Sequence, residues 1–216
     1  VSWGRRCVEE TDAVLVQWYA GEQQGCTLAD ILLGKVNPSG KLNVSFPRST
    51  GNTPCFYNHF VTDREESFDQ PGTPEEPKGH YIFDKPEPLW NFGHGKSYTT
   101  FDYVDCALSD TLLVASDTLK VSVTIKNTGR RDGKEVVQLY VRDKVSTVAT
   151  PIQQLKAFQK VLIKPGESQC VELSLPIAEL ALYNAKMEEV VEPGDFEIQI
   201  GAASDDIRFK KTITIN

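Results

Sequence analysis

Apolar and polar residues alternate with a period of two through the second half of the chain. In DTLKVSVTIKNTG, Lys, Ser and Thr alternate with Leu119, Val121, Val123 and Ile125, as on a strand that buries one face. Comparable stretches follow, each bounded by Gly, Pro, Asn or Asp: GKEVVQLYVRD, LKAFQKVLIKPGES, CVELSLP and GDFEIQIGAASDDIRFKKTITI. From Phe101 onward the sequence therefore predicts short antiparallel strands that pack as a two-sheet sandwich.

The first half of the chain mixes strand and helix patterns. The run Ala13–Tyr19 is short and rich in Val and Trp, which predicts a buried strand. TLADILLG predicts a short helix that begins with a capping box at Thr27 and Asp30 and ends at Gly34. The turn NPSG then leads into KLNVSFP, where a second strand is predicted by the alternation of Leu42, Val44 and Phe46.

These patterns place two architectures in one chain. Strand, helix, strand is the tail of a partial α/β unit, because two strands and one helix cannot cover both faces of a parallel sheet. We therefore expect further sequence before Val1. The predicted fold class is α+β overall, with this partial α/β portion and a long polar loop (48–88) in residues 1–88. An all-β sandwich of the immunoglobulin or fibronectin type III kind follows in residues 89–216.

Composition and charge argue against nucleic acid and anionic membranes as partners. The formal charge is −7 and the pI is near 5.1, so no positive field favours nucleic acid or an anionic membrane. No apolar run approaches the roughly 20 residues that span a bilayer, and VSWGRRCVEE at the start lacks a signal-peptide core. Five cysteines without a C-x-x-C pair predict buried thiols rather than a zinc site or a disulfide framework.

The motif LWNFGHGKSYTTFDY, residues 89–103, lies where the two patterns meet, and we call it the junction motif. His94 between two glycines could belong to a reactive loop, but no third glycine or following helix indicates a dinucleotide site. Ser97 lies in no G-x-S-x-G elbow, and no residue set has metal-ligand spacing. We interpret Gly93 and Gly95 as positions of positive φ or close approach. The motif is then a structural joint with four aromatic anchors: Trp90, Phe92, Tyr98 and Phe101.

Several words of the sequence, in order, resemble the C-terminal part of family 3 glycoside hydrolases, the β-glucosidase and β-xylosidase group. QWYAGEQQGCTLADILLG corresponds to an aromatic-Tyr-Pro-Gly-x-Glu/Gln-Gly-Gly stretch that leads a helix, and NPSGKLNVSFP to an Asn-Pro-Ser-Gly-Lys/Arg-Leu turn and strand. PLWNFGHGKSYTTFDY corresponds to Pro-Phe-Gly-x-Gly-Leu-Ser-Tyr-Thr-x-Phe, which opens a fibronectin type III-like domain. Four residues depart from the family pattern: Ala20, Gln24, Asn91 and Lys96. The first two adjust a turn at the helix entrance, and Lys96 is expected near solvent.

The resemblance implies catalytic groups that lie elsewhere. In the family, a preceding (β/α)8-type domain carries an Asp nucleophile in a Ser-Asp-Trp-like motif, and the upstream α/β domain usually supplies the acid/base carboxylate. Retaining hydrolysis needs both carboxyl groups, about 5–5.5 Å apart. The implied parent enzyme hydrolyses terminal β-linked glucosyl or xylosyl residues without a cofactor, in the periplasm or outside the cell. The 216-residue chain alone is expected to be inactive.

The candidate substrate residues lie in CFYNHF. Tyr57, Asn58 and His59 offer an aromatic platform and polar donors, and related family members carry a similar word here. The favoured interpretation is a structured loop in which His59 hydrogen-bonds to backbone; the alternative is that Tyr57, Asn58 and His59 contact substrate at the rim of the full-length enzyme. No carboxylate of the chain is predicted to be catalytic: Glu22 suits the positive end of the helix dipole, and clustered loop acids indicate a solvated surface. These loop acids are Asp63, Glu65, Glu66, Asp69, Glu75 and Glu76.

Two further hypotheses concern partners. A stand-alone carbohydrate-binding or adhesion module is the alternative function, because fold does not fix function. It requires a row of exposed aromatics, whereas the spacing of the sandwich aromatics predicts core: Phe101, Tyr103, Tyr140, Phe158, Tyr183, Phe196 and Phe209. The incomplete α/β portion predicts an exposed apolar surface, which self-association could cover, from the helix face and Val14, Leu15 and Val16.

Overall fold

The structure is a computed structural model that describes residues 13–60, 73–75, 85 and 87–216. Among the sequence candidates, those outside the described residues are Cys7, Asp63, Glu65, Glu66, Asp69, Glu76 and His80. In the described part of the chain, no helix has the length and apolarity needed to cross a membrane. The predicted combination of a helix-containing first half with an all-β second half is confirmed.

Residues 101–216, all of which are described, form the predicted sandwich. Its strands are β1 Phe101–Leu108, β2 Leu112–Leu113, β3 Thr118–Asn127, β4 Gly133–Asp143, β5 Gln154–Ile163, β6 Ser168–Pro176, β7 Leu182–Tyr183, β8 Glu189–Val190, β9 Gly194–Gly201 and β10 Ile207–Ile215. The smaller sheet has the order β1-β3-β6 and the larger the order β2-β10-β9-β4-β5, while β7 and β8 form a separate ribbon. All of these pairings are antiparallel except that of β2 with β10.

The core lies between the two sheets and follows the period-two pattern. On β3, Val121 and Val123 are fully buried and pair across the ladder with Leu173 and Val171 of β6. The facing sheet contributes its own inward residues, including Leu139 of β4 and Ile200 of β9, and all of these belong to one cluster. Burial of one face of each sheet against the other supplies the main driving force for this fold.

One α-helix, α1 (Gln24–Leu32), and one short 3-10 helix (Thr50–Asn52) are present in the described part of the first half. The predicted end of α1 is confirmed: Gly34 has φ +70°, its N–H donates to Ile31 O at 2.9 Å, and Lys35 N–H donates to Asp30 O at 2.8 Å. This is a Schellman motif, in which glycine accepts the left-handed conformation without a Cβ penalty. The predicted capping box is wrong, because the helix begins before Thr27, whose N–H already donates to Gln23 O at 3.0 Å.

The two strands predicted in the first half do not form as expected. Residues 13–19 have no regular secondary structure, and Val14, Leu15 and Val16 are exposed rather than buried. A strand needs a paired neighbour, and no described residue pairs with this run. The stretch Leu42–Phe46 contains a single bridge, Phe46 with Trp90.

That single bridge belongs to a longer contact between the first half and the junction motif. Gly93 N–H donates to Leu42 O at 2.7 Å, and Leu42 N–H donates to His94 O at 2.8 Å. Four residues further along, Phe46 N–H donates to Trp90 O at 2.8 Å. The KLNVSF segment therefore uses the junction motif as its hydrogen-bonding neighbour, which fixes the first half against the sandwich.

Candidate functional site at the junction

Gly93 lies directly over the outer face of the larger sheet. It has φ +81°, and a Cβ at this position would collide with Oε1 of Gln138 and lie 3.0 Å from the Tyr140 hydroxyl. Gln138 is buried and donates through Nε2 to Ala202 O at 2.6 Å and to Gly93 O at 3.3 Å. Its Oε1 accepts from the Tyr140 hydroxyl at 2.6 Å. Only glycine satisfies both the backbone conformation and this close approach.

Gly95 is required for a different reason. A Cβ here would collide with the carbonyl oxygen of Gly40 and lie 3.0 Å from the Lys41 side chain. Its φ is outside the left-handed range, so the constraint is close approach of two backbones rather than backbone strain. The predicted role of the two glycines is therefore confirmed, with positive φ at Gly93 alone.

The four predicted aromatic anchors differ in their burial. Trp90 packs edge-on against Phe46 with ring centroids 5.7 Å apart, and Phe92 stacks on Tyr57 at 4.2 Å. Phe101 is half-buried and packs against the sandwich core. The Tyr98 ring is exposed, but its hydroxyl donates to Ile31 O at 3.0 Å, one of the last carbonyls of α1. Tyr98 is thus a helix-capping residue more than an apolar anchor.

Asn37 of the NPSG turn joins the two halves by polar contacts that the sequence did not reveal. Its Oδ1 accepts from the Ser97 hydroxyl at 2.9 Å and from Tyr98 N–H at 2.8 Å. Its Nδ2 donates to Asp132 O at 2.9 Å. Asparagine at this position is explained by three contacts 60 or more residues away in sequence, in addition to its preference for turns.

A buried ion pair lies beside this turn. Lys41 Nζ is 3.1 Å from Glu135 Oε1, and the two side chains are only 14% and 7% exposed. Lys41 Nζ also donates to Gly95 O at 3.2 Å, and the Tyr103 hydroxyl donates to Glu135 Oε1 at 3.4 Å. Burial and the neighbouring Glu135 carboxylate raise the pKa of the Tyr103 phenol far above its ordinary value. Tyr103 therefore remains a neutral donor, and the cluster is a positioning device without an exposed reactive group.

His94, the residue that suggested a reactive loop, is half-buried at the same place. Burial lowers the pKa of its imidazole below the ordinary value of 6.5, and the positive charges of Lys96 and Lys41 act in the same direction. The carboxylates of Asp205 and Asp206 act in the opposite direction. Lys96 itself is exposed, as expected from the sequence.

This lowered pKa predicts a loss of stability at acidic pH. As the pH falls below about 6.5, the unfolded chain binds a proton at His94 before the folded chain does. The free energy of unfolding therefore decreases as the pH falls, until the pH is below the pKa of His94 in the folded chain. We expect His94→Gln to reduce the slope of unfolding free energy against pH in this window. Urea denaturation at several pH values measures this slope. Lys96→Met should reduce the slope in part, and a slope unchanged in both variants would contradict the prediction.

The candidate rim residues lie on a segment that is attached to the sandwich. Tyr57 is half-buried, with one ring face stacked on Phe92 and its hydroxyl accepting from Leu155 N–H at 3.2 Å. His59 Nδ1 lies 3.0 Å from Phe60 O, and His59 O accepts from Ile152 N–H at 2.9 Å. Asn58 is exposed. A contact of these three residues with substrate stays a prediction.

The remaining candidate groups are two carboxylates and the described cysteines. Glu22 and Glu75 are exposed, and Gln23, the residue before α1, makes no side-chain capping bond. The described cysteines are unpaired, but only Cys106 is buried, Cys55 is half-buried, and Cys26 and Cys170 are exposed. The prediction of buried thiols is therefore wrong for the last two, which lie on α1 and the outer face of β6.

The described residues form neither a metal-binding cluster nor a large pocket. Among the residues that the structure describes, no three His, Cys, Asp or Glu side chains are grouped as for a metal ion. A shallow pocket of about 50 Å³ is lined by Asp143, Thr150, Gln154, Lys156 and several apolar residues. This volume holds about one or two water molecules and is far too small for a pyranose ring.

The sandwich aromatics mostly serve the core, as predicted. Phe196 belongs to the core cluster, and Phe101, Tyr103 and Phe209 pack partly buried against it, whereas Tyr140 is buried on the outer face of β4 beside Gly93. Phe158 on β5 and Tyr183 on β7 are the exposed members of the predicted set. They belong to different sheets, so they do not make the continuous aromatic row that a sugar-binding face would require.

Comparison with known proteins matches both halves of the chain. Residues 2–98 match the glycosyl hydrolase family 3 C-terminal domain, and residues 135–204 match the fibronectin type III-like domain. A periplasmic β-glucosidase of Salmonella typhimurium is 40% identical over 91% of this chain and 25% of its own length. A β-xylosidase of Formosa agariphila is also 40% identical, over 93% of this chain and 27% of its own length.

Solved structures give the same result. The β-glucosidase of Listeria innocua in complex with glucose superimposes with a TM-score of 0.84 at 37% identity, covering 97% of this chain and 29% of the other. A β-glucosidase 3B of Thermotoga neapolitana in complex with α-D-glucose has a TM-score of 0.75 at 37% identity, covering 96% and 28%. The chain spans about a quarter of the length of the curated relatives that it matches. It therefore belongs to glycoside hydrolase family 3 and corresponds to the C-terminal region of those enzymes.

Proposed function

We propose that this chain is the C-terminal structural portion of a retaining β-glycosidase that hydrolyses terminal β-linked glucosyl or xylosyl residues of oligosaccharides. The observation that carries the proposal is the match of nearly the whole chain, at 40% identity, to both a β-glucosidase and a β-xylosidase. The two relatives are named for different sugars. The proposal therefore gives the class of reaction and includes both glucosyl and xylosyl substrates. A periplasmic relative supports a periplasmic or secreted location.

The role proposed for the chain is to brace the rest of the enzyme. Many of the described carboxylates lie exposed, and others are engaged in structural contacts, such as Glu135 with Lys41 and Asp143 with the Val145 N–H. The contacts of Asn37, Lys41 and Gly93 fix residues 34–60 to the sandwich. We therefore place the catalytic carboxylates outside this chain and expect no glycosidase activity from it alone.

A segment replacement tests the proposal. We would substitute this chain for the matching C-terminal portion of the Listeria innocua β-glucosidase and assay an aryl β-glucoside and an aryl β-xyloside. The hybrid should be folded and active, and the purified 216-residue chain alone should release no aryl product. Turnover by the chain alone, with contaminants excluded, would overturn the structural role. A folded but inactive hybrid would contradict the assignment to a β-glycosidase.

We also propose that the exposed apolar side chains of the first half face another part of the enzyme. Val14, Leu15 and Val16 are exposed together with Leu32 and Leu33 at the end of α1. Clustered exposed apolar side chains often mark an interface. In the 216-residue chain on its own, the same surface is available for contact with a second copy.

We accordingly expect the isolated chain to self-associate in a concentration-dependent manner. The double variant Leu32→Lys/Leu33→Lys should shift the chain toward monomer, because it places two charges on the apolar surface. Val145→Lys is the control, since Val145 is at least as exposed but lies in the sandwich, after β4. Light scattering over a range of concentrations measures the mass. A wild-type chain that stays monomeric at all concentrations would contradict the expectation.

A further inference from the structure

Helix α1 has few means of supporting itself. It is 9 residues long and none of its residues is buried, whereas isolated helices shorter than about 12–15 residues are marginal in water. Its first turn holds no acidic residue, its last turn holds no basic residue, and Gln23 makes no side-chain capping bond, so its end turns carry no charge that favours the helix dipole. The helix therefore depends on contacts with other segments.

Two hydrogen bonds join the C-terminal end of α1 to the junction motif and the sandwich. Arg131 donates through Nη1 to Gly34 O at 3.0 Å, and the Tyr98 hydroxyl donates to Ile31 O at 3.0 Å. Arg131 Cζ also lies 5.9 Å from the centroid of the Tyr98 ring, within the range of a cation–π contact. The two side chains are thus one unit, which we call the α1 clamp, and its positive charge lies at the negative end of the helix dipole.

A buried asparagine fixes the backbone from which the arginine of the clamp extends. Arg131 lies in the turn between β3 and β4, and its carbonyl accepts from Asn127 Nδ2 at 2.8 Å. Asn127 is fully buried, and its Oδ1 accepts from Gly129 N–H at 3.0 Å and from the Thr99 hydroxyl at 2.7 Å. A buried polar side chain with several partners makes its surroundings rigid, so the guanidinium reaches α1 from a fixed point of the sandwich.

The structure assigns Arg131 and Tyr98 as positioning residues that hold the C-terminal end of α1 in one orientation on the sandwich. Leu32 and Leu33, which are exposed at that end, are held in place with it. The inference rests on the proposed function, in which these leucines face another part of the enzyme. Since a small misplacement far from the reacting atoms can lower an enzyme's rate by up to about 100-fold, the clamp matters for catalysis without contacting substrate.

Amide hydrogen exchange of the 216-residue chain, resolved by NMR, tests the α1 clamp. Arg131→Met should speed exchange at Leu33 and Gly34 by about tenfold or more, because both N–H groups bond within the last turn of the helix. The amide of Leu139 in the core should keep its rate. Arg131→Lys retains a charged donor and should restore part of the protection. Tyr98→Phe removes only the hydroxyl and should speed exchange at the same two amides.

Arg208→Met is the matched control. Arg208 lies on β10 and its Cζ is 5.8 Å from the centroid of the Tyr103 ring, so the control loses the same kind of contact at another place. It should leave exchange at Leu33 and Gly34 unchanged. Three results would overturn the clamp: equal exchange in wild type and Arg131→Met, no protection of the two amides in wild type, or exchange in the core that is accelerated as much as in the helix.

The segment-replacement hybrid tests the consequence for the enzyme. Arg131→Met should lower kcat/KM for the aryl β-glycoside that the hybrid hydrolyses by about fivefold or more. Arg131→Lys should recover part of this loss, and Arg208→Met should cause none. An unchanged kcat/KM in the Arg131→Met hybrid would overturn the positioning role. An inactive hybrid without substitutions, together with faster exchange in the Arg131→Met chain, would overturn the proposed function while leaving the clamp intact.

Discussion

Replacement of Gly93 by valine is expected to lower the free energy of unfolding by about 3–5 kcal/mol, because two penalties act at one position. The first is backbone strain, since φ is +81° and β-branched residues rarely adopt that region. The second is steric. A Cβ would collide with Oε1 of the buried Gln138, and any shift of that amide disturbs its bonds to Ala202 and Tyr140.

Gly166→Val separates the two penalties. Gly166 has φ +77°, close to that of Gly93, but no atom lies within 4 Å of its Cβ position. The control should therefore show the backbone cost alone, roughly 1–3 kcal/mol. Urea denaturation of both variants gives the comparison. If the two variants were destabilised equally, the close approach of Gly93 to Gln138 would carry no energetic weight and the packing argument at the junction would be wrong.

The sandwich was predictable because its signal is local. Along β3, alternate residues from Leu119 to Ile125 are fully buried and the residues between them face outward, so the period in sequence is also the period in space. The end of α1 was predictable for a similar reason, since the conformation of Gly34 depends on the backbone of one helical turn. In both cases the determinant lies within a few residues.

The failures arise where the determinant lies far away. The run Ala13–Tyr19 has strand propensity, but a strand also needs a paired neighbour, and periodicity does not report whether one exists. Asn37 illustrates the same limit for a side chain. Its turn preference is visible in NPSG, whereas its bonds to Ser97, Tyr98 and Asp132 depend on how the sandwich is placed. Close approach at Gly95 likewise becomes visible only when Gly40 is located.

The candidate rim shows the limit for function. A sugar contact at CFYNHF stays a prediction, and the sequence gives no period from which inward and outward residues can be separated in so short a turn. The contacts of Tyr57 with Phe92 and Leu155 distinguish a residue that holds the segment from its exposed neighbours. Those partners lie 35 and 98 residues away.

Removal of one member of the buried ion pair is expected to have an effect as large as the Gly93 variant. Lys41→Met leaves the Glu135 carboxylate buried without its cation, and we expect a loss of about 3–5 kcal/mol in the free energy of unfolding. The variant also loses the ion pair that connects the NPSGKL segment to β4. In the double variant Lys41→Met/Glu135→Leu no buried charge remains, so most of that loss should be recovered.

The pair Lys120 and Glu172 supplies the matched control. Its nitrogen and oxygen atoms are 3.3 Å apart, close to the 3.1 Å of Lys41 and Glu135, but its side chains are 58% and 53% exposed. Lys120→Met should therefore change the unfolding free energy by less than about 1 kcal/mol. Urea denaturation of the three variants and of wild type measures all of these values. An effect of Lys41→Met as small as that of Lys120→Met would show that water reaches Glu135 and compensates it, and the cluster with Tyr103 would then not hold the first half to the sandwich.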